Sequence, residues 1–534
     1  MHLRRSVVAL LPAMLWSFSL QAQPSEPDTT FDVWEYRVLG NTVLDVRAIE
    51  TAVYPHLGPA RSLADVQQAR TSLEAAFRDK GYGTVYVDIP EQDTAEGIVR
   101  LQVTEGRLDR VQITGARYFA NGRIRDRLPA LEPGVVPALP KLQDQLALVN
   151  RENPDRTVTP ILRAGRTPGT VDVELRVDDR LPLHGSLELN DRYSADTTET
   201  RLAANLSYGN LFQRHHSLSL QYQVAPQAPD ESRVLAATYV APLSPSNLLA
   251  FYAVDTQSDV AALGTLSVLG QGRIYGARWI RLLPADSGRF HNLTLGFDFK
   301  DFDESIRLDE LGAPIDTPIA YGAWSIAYAG GSNSAAWRAS WNLGANLGLR
   351  GVLNSADEFN AAPNDPTDTR GKRSGAKPNY FYLRGNGSLE RSLPRGFTAA
   401  IRLAGQFTTE PLINNEQFAI GGADSVRGFV ESDQLGDMGI SGSLELRGPS
   451  MSKWLGESVR DARAFVFYDA GIISVIDPGP EQISRFDLAS VGAGLRFSGF
   501  GGLDAALDWA YPLVPSTRVR DGESRVHFSV KYGF

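Results

Sequence analysis

No cysteine occurs among the 534 residues. Disulfide frameworks, thiolate metal centres and cysteine nucleophiles are excluded together. The absence fits an exported chain, although many cytosolic proteins share it. Basic charge is not in excess either. The 53 Lys and Arg are outnumbered by 62 Asp and Glu, so the basic surface of a nucleic-acid binder is missing and no nucleic-acid partner is expected. Long apolar runs are also missing beyond the N-terminus. No transmembrane helix is expected in the mature chain, and any span must be a closed barrel. A hydrophobic content of 43% suits a soluble protein and equally a barrel whose lipid-facing and lumen-facing residues alternate.

Catalytic constellations are absent from the pattern. There is no Gly-x-Ser-x-Gly elbow and no phosphate-binding Gly-Lys-Ser or Gly-Lys-Thr loop. His215 and His216 read as a solvated turn. Asp357, Glu358, Asp365 and Asp368 lack the fixed spacing of a calcium loop. No enzyme activity, cofactor or metal is expected.

What is present begins at the N-terminus. Arg4 and Arg5 precede an apolar run from Val7 to Leu20, and small residues lead to Ala22. Residues 1–22 therefore read as a cleaved secretory signal.

Residues 31–180 mix helical and strand periodicity. Phe31 to Leu39 reads as a strand, Val46 to Val53 and Leu63 to Lys80 as helices, and Thr84 to Ile89 and Gly97 to Val103 as strands. In the second helix Leu63, Val66, Ala69, Leu73, Ala76 and Phe77 recur at helical spacing. The same order follows again. Leu108 to Ile113 is a strand, Asn121 to Leu128 and Lys141 to Val149 are helices, and Arg156 to Leu162 and Thr170 to Val177 are strands. Two copies of one small α+β unit, 31–105 and 106–180, are expected.

After Asp179 the period becomes two. Leu218, Leu220, Tyr222 and Val224 alternate with Ser219, Gln221 and Gln223, and Val526, Phe528, Val530, Tyr532 and Phe534 alternate to the last residue. Strands are expected to begin near residues 181, 199, 216, 232, 247, 269, 290, 319, 335, 379, 396, 438, 462, 486, 502 and 525. Their links alternate between short, as in Leu243 to Ser246 or Gly499 to Gly501, and long, as in Gly351 to Pro378 or Thr409 to Asp437. Short turns on one side and long loops on the other are the outer-membrane pattern. An even strand count puts both barrel ends on the short-turn side, where the preceding domains would lie in the periplasm. Tyr208, Trp279, Tyr511 and Tyr532 would suit interfacial girdles.

One long loop carries Phe418-Ala-Ile-Gly421-Gly422-Ala-Asp-Ser425-Val426-Arg427-Gly428-Phe429, and Phe465-Val-Phe467-Tyr468-Asp469-Ala-Gly471 follows later. With the paired α+β units and the terminal Phe534, these residues resemble the two-partner secretion transporters (TpsB, haemolysin secretion/activation proteins). That family lies within the wider superfamily of the BamA assembly proteins. The Val-Arg-Gly-Phe motif with its Gly-Gly approach is specific to the superfamily, not to one branch.

The resemblance implies two POTRA domains and a sixteen-stranded antiparallel transmembrane β-barrel over 181–534 in the bacterial outer membrane. It implies that the loop after the eleventh strand folds into the lumen, Arg427 pairing with Asp469 on the wall beside Phe467 and Gly471. Phe465, Phe467 and Asp469 share parity, so an inward Asp469 brings two Phe with it. The implied partners are a secreted, large β-helical adhesin, haemagglutinin or haemolysin, the lipid bilayer, and the barrel assembly machinery, which would recognise Phe534. Export without ATP is the expected function. A BamA-like assembly factor and a simple pore or surface antigen are the alternatives. Some family members carry an N-terminal plug helix. Gln23 to Thr30 is too short for one at 1.5 Å per residue, so none is expected.

Overall fold

The computed structural model describes residues 30–534 except 196, 259, 264–265, 287, 304, 307–314, 317, 361–370, 480–481, 517 and 521. The expected signal segment, residues 23–29 and the acidic positions Asp365 and Asp368 lie outside the described residues. The chain divides into two compact units, Met1–Asp179 and Arg180–Phe534.

In the first unit the α+β pattern occurs twice. In the first copy the strand Glu35–Leu39 runs parallel to Ile98–Glu105, which pairs antiparallel with Val85–Asp88. The helices Val46–Val53 and Leu63–Asp79 cover one face. Ser62 starts the longer helix with a reciprocal cap, its hydroxyl accepting from Asp65 N while the Asp65 carboxylate accepts from Ser62 N. Val66, Ala69, Leu73 and Phe77 are buried as their spacing requires, whereas Leu63 at the helix start is exposed. The expected strand from Phe31 to Leu39 is broken. Phe31–Val33 separates from Glu35–Leu39 and pairs with Gly58–Arg61 instead.

The second copy repeats the topology. Arg107–Thr114 is parallel to Thr170–Asp179, which pairs with Arg156–Ala164, and Leu142, Leu146 and Val149 of the helix Leu139–Glu152 fill its core. Only Gly106 separates the last strand of the first copy from the first strand of the second. Glu105 accepts hydrogen bonds from Thr42 Oγ1 and Arg107 Nη2, each at 2.7 Å, which ties the junction.

The second unit is a closed antiparallel barrel of sixteen strands. In chain order these are Leu183–Asn190, Arg201–Leu211, His216–Val224, Arg233–Ser244, Asn247–Thr256, Gly272–Leu282, Arg289–Phe302, Ile319–Asn333, Trp337–Gly348, Phe381–Ser392, Thr398–Phe407, Met438–Arg447, Val459–Ser474, Arg485–Gly499, Leu503–Pro512 and Arg525–Gly533. They are called strands 1 to 16 of the barrel below. Alternation decides the faces. In strand 12, Ile440, Leu444 and Leu446 are exposed outward while Ser441, Ser443 and Glu445 are buried on the inside. Closure leaves no open sheet edge, the requirement for a span made of strands. The ring closes between strands 16 and 1, where Phe534 N and O bond Gly185.

Candidate functional site

The loop between strands 11 and 12 folds back as a hairpin, its Phe418–Ile420 limb pairing with Gln434–Gly436. Its apolar side, Ile420, Val426 and Phe429, packs with Ile473 of strand 13 and Leu488 of strand 14. Both residues sit on inward faces, so this loop occupies the lumen. Gly421 and Gly422 take φ of +105° and +107°, and at each a Cβ would collide, with Val430 O at 2.7 Å and with the Glu431 carboxylate at 2.3 Å respectively.

Arg427 sits at the tip with no exposed surface. Its Nε donates to Asp469 Oδ2 at 2.7 Å and its Nη2 to Asp469 Oδ1 at 2.8 Å, the two-pronged contact that a guanidinium makes and an ammonium does not. The backbone N–H of Arg427 also donates to Asp469 Oδ2. Nη1 donates to Glu445 Oε1 at 2.9 Å, Nη2 to Ser443 Oγ at 3.1 Å, and Asp508 lies 3.6 Å from Nη1.

The parity of Phe465, Phe467 and Asp469 is explained by the same group. All three face inward, and the guanidinium carbon lies 3.4 Å from the Phe467 ring centroid and 5.7 Å from that of Phe465. The two rings form the floor on which the cation stacks. Strand 14 makes room for them. Gly492 and Gly494 pair with Phe467 and Phe465, and a Cβ at either would lie 2.3 or 2.5 Å from the facing ring. Gly471 does the same for the loop, since a Cβ there would meet Val426 at 3.2 Å and Ile420 at 3.3 Å.

Burying one cation against several carboxylates needs further cations to hold the charge balance. Glu445 is also bound by Arg447 and faced by Arg402, and Asp508 by Arg496. None of these partners was singled out in the sequence, where they are ordinary inward charges on four different strands.

A second contact, also missed, joins the loop to the closing strands. Gly428 N donates to Nε2 of His527 at 2.9 Å, and Nδ1 of His527 faces Asp191 Oδ2 at 2.9 Å. Accepting at Nε2 requires the neutral imidazole with its proton on Nδ1. Gly428 has φ +94° and approaches Pro512 so closely that a Cβ would lie 3.2 Å away. Next to it, Arg192 pairs with Asp424 and Tyr193 O accepts from Glu431 N.

Other singled-out residues do not join this cluster. Phe534 lies at the opposite edge of the seam with its ring over Gly185. His216 is not in the turn but opens strand 3, where it contacts Tyr239 OH of strand 4, and Asp357 and Glu358 lie in the short helix Ala356–Phe359. No cluster able to hold a metal ion occurs among the described residues.

Comparisons with known proteins agree with this architecture. The family model described as haemolysin secretion/activation protein ShlB/FhaC/HecB matches residues 169–497. The model of the ShlB-type POTRA domain matches residues 31–106. Outer membrane transporter CdiB of Dickeya dadantii is 26% identical over 193 residues, which cover 36% of this chain and 34% of that protein. The chain thus aligns with about a third of that relative's length. The structure of CdiB from Escherichia coli superposes with a TM-score of 0.60 at 19% identity, over 97% of this chain and 93% of that one. BamA from Haemophilus ducreyi lacking POTRA domains 1–3 gives 0.57 at 16% identity, over 94% and 100%. At these identities the two structures share the fold.

Proposed function

This chain belongs to the haemolysin secretion/activation protein family, with its barrel in the outer membrane and its POTRA domains in the periplasm, and from that membership we propose that it exports one unfolded exoprotein. The client docks on the POTRA domains, taken as residues 31–105 and 106–180. Each three-stranded sheet has two edge strands: Glu35–Leu39 and Val85–Asp88 in one, Arg107–Thr114 and Arg156–Ala164 in the other. An extended segment can add as a further strand to such an edge. The chain then threads the barrel as the Arg427 loop moves aside. Folding outside the cell prevents return, so no nucleotide is consumed.

The observation that carries the reading is the fully buried Arg427 on Asp469. A lumenal loop whose tip is held by one polar constellation is an obstruction whose tip can be displaced without unfolding the barrel. The client expected from the family is a large β-helical adhesin, haemagglutinin or haemolysin, and Phe534 is proposed as the mark by which the assembly machinery inserts the barrel.

The likeness to BamA keeps an assembly role as the competing reading. Quantitative proteomics of medium and outer membrane, with and without the gene, separates the two. Loss of one large protein from the medium with other barrels unchanged supports export. Depletion of many barrels supports assembly, and no change in either fraction points to a simple pore.

A further inference from the structure

Arg427 holds only the tip of its loop. The base is held by two other carboxylates, and they lead to a second obstruction. Glu416, buried, accepts from Lys300 of strand 7, from Tyr321 OH of strand 8 and from Tyr382 OH of strand 10 at 2.7 Å. Asp437, with no exposed side chain, receives both Nη atoms of Arg373, and also Leu412 N at 2.9 Å and Ile476 N at 2.7 Å.

Arg373 belongs to the connection between strands 9 and 10. Its described parts, 349–360 and 371–380, turn into the barrel mouth on the long-loop, extracellular side. Phe359 of this connection is 1% exposed. Its ring lies 5.5 Å from that of Tyr321 and 6.0 Å from that of Tyr380. Ala376 and Tyr380 join Leu412 and Ile413 of the loop base and the inward Val254, Ile274 and Phe302 in one apolar cluster. A water-filled pore has no use for an apolar core across its mouth. The backbone is fastened too, for Asn354 bridges Gly322 N and Pro378 O.

We propose that the described parts of the connection between strands 9 and 10, 349–360 and 371–380, form a second, extracellular closure of the barrel, and that Asp437 is the positioning residue that couples it to the Arg427 loop, whose base Glu416 ties to strands 7, 8 and 10. The inference rests on the reading of that loop as the movable obstruction. Withdrawing the tip alone leaves the mouth sealed, and clearing it also requires the Arg373 to Asp437 contact to break. A client emerging along the lumen therefore meets two barriers in series.

Purified protein in planar bilayers tests this, with folded barrel verified by heat-shifted gel mobility. Arg427→Ala alone is expected to change conductance little, whereas Arg427→Ala with Arg373→Ala raises it by at least about tenfold, as loss of a buried ion pair allows. Arg373→Lys, which keeps the charge and loses the fork, should give an intermediate rise if Arg373→Ala does not fold. The cysteine-free chain offers a second readout. A single Ile413→Cys, 1% exposed, should react with an impermeant maleimide about tenfold faster when Arg373→Ala is added. Full conductance from Arg427→Ala alone, or an Ile413→Cys rate indifferent to Arg373, overturns the second closure and leaves the loop reading standing. Conductance indifferent to Arg427→Ala in every background overturns the loop reading itself.

Discussion

At the scale of single residues the charge balance around Arg427 is asymmetric, and the asymmetry has consequences. Removing Asp469 leaves Arg427 with Glu445 at 2.9 Å and Asp508 at 3.6 Å. Removing Arg427 leaves Asp469 buried with only a backbone N–H from the loop. Stripping one partner from a buried pair costs about 3 to 5 kcal/mol. Arg427→Ala should therefore loosen the loop by roughly that amount, and Asp469→Ala by clearly less. Arg427→Lys should fall close to Arg427→Ala, because an ammonium cannot span both Asp469 oxygens while lying flat on Phe467. Maleimide reactivity of a Ser425→Cys reporter beside the tip measures all three. Equal reactivity in Arg427→Lys and wild type would show that charge alone holds the loop. This pair was implied by the resemblance of the loop motif; the parity of strand 13 did not point to it, because it puts Phe465 and Phe467 on the same face as Asp469. The counter-charges could not be anticipated, because Glu445 and Asp508 become neighbours only through barrel register.

At the scale of elements, support for the site is built into residues of strand 14 that do not touch Arg427. Gly492 and Gly494 exist beside Phe467 and Phe465 because a methyl there has no space; at Gly492 it would lie 2.1 Å from Trp509 O as well. Gly492→Ala should tilt the Phe467 ring from under Arg427 and lower secretion several-fold while removing no charge. Unchanged secretion with normal barrel levels would mean that the aromatic floor is dispensable. The helices of the first unit give an independent test. Among the described residues the α-helices of the barrel unit are the four-residue Ala356–Phe359 and Ser452–Leu455, so circular dichroism at the helical band reports chiefly the POTRA helices. Ser62→Ala removes the cap of the longest helix and should cost about 0.5 to 2 kcal/mol in that signal's unfolding midpoint. Hydrogen bonds from the Ser62 N–H and hydroxyl hold the Asp65 carboxyl below its ordinary 3.8. A depressed acid stabilises the fold above its unfolded value and loses that contribution as pH falls through the lowered one. The cap should thus be intact at neutral pH and fail only in strong acid. A midpoint that drops already between neutral pH and about 5 would contradict this. Sixteen strands and repeated α+β units were legible because alternation at period two and helical spacing are local. The pairing of Phe31–Val33 with Gly58–Arg61 was not, since strands of three and four residues carry too little pattern, and Glu416, Asp437 and Arg373 were ordinary loop polars whose partners lie up to 116 positions away.

At the scale of the whole molecule the ring of strands is uneven, and the loop compensates at its thinnest place. Strands 7 and 8 pair over fourteen register positions, from Arg289 with Ser332 to Phe302 with Ile319. Strands 16 and 1 pair over five, from Ser529 with Asn190 to Gly533 with Ser186. Opening free energy follows the local density of hydrogen bonds and packing, so the seam should open before any other part of the wall. Past the end of that short ladder, Asp191 accepts from Phe528 N at 2.7 Å and faces His527, which accepts from Gly428 N at the loop tip. The loop thus bolts the seam where its own ladder stops. Hydrogen exchange by mass spectrometry should show faster exchange in peptides covering 186–190 and 529–533 than in those of strands 7 and 8. Arg427→Ala should accelerate the seam peptides further and leave strands 7 and 8 unchanged, because releasing the tip withdraws Gly428 from His527. His527→Phe should reproduce that acceleration with the Arg427 cluster intact, since a phenyl ring accepts no proton from Gly428 and gives none to Asp191. Uniform exchange around the barrel would mean that its sixteen strands open as one body. Seam exchange indifferent to both substitutions would mean that the loop obstructs the lumen without holding the wall closed.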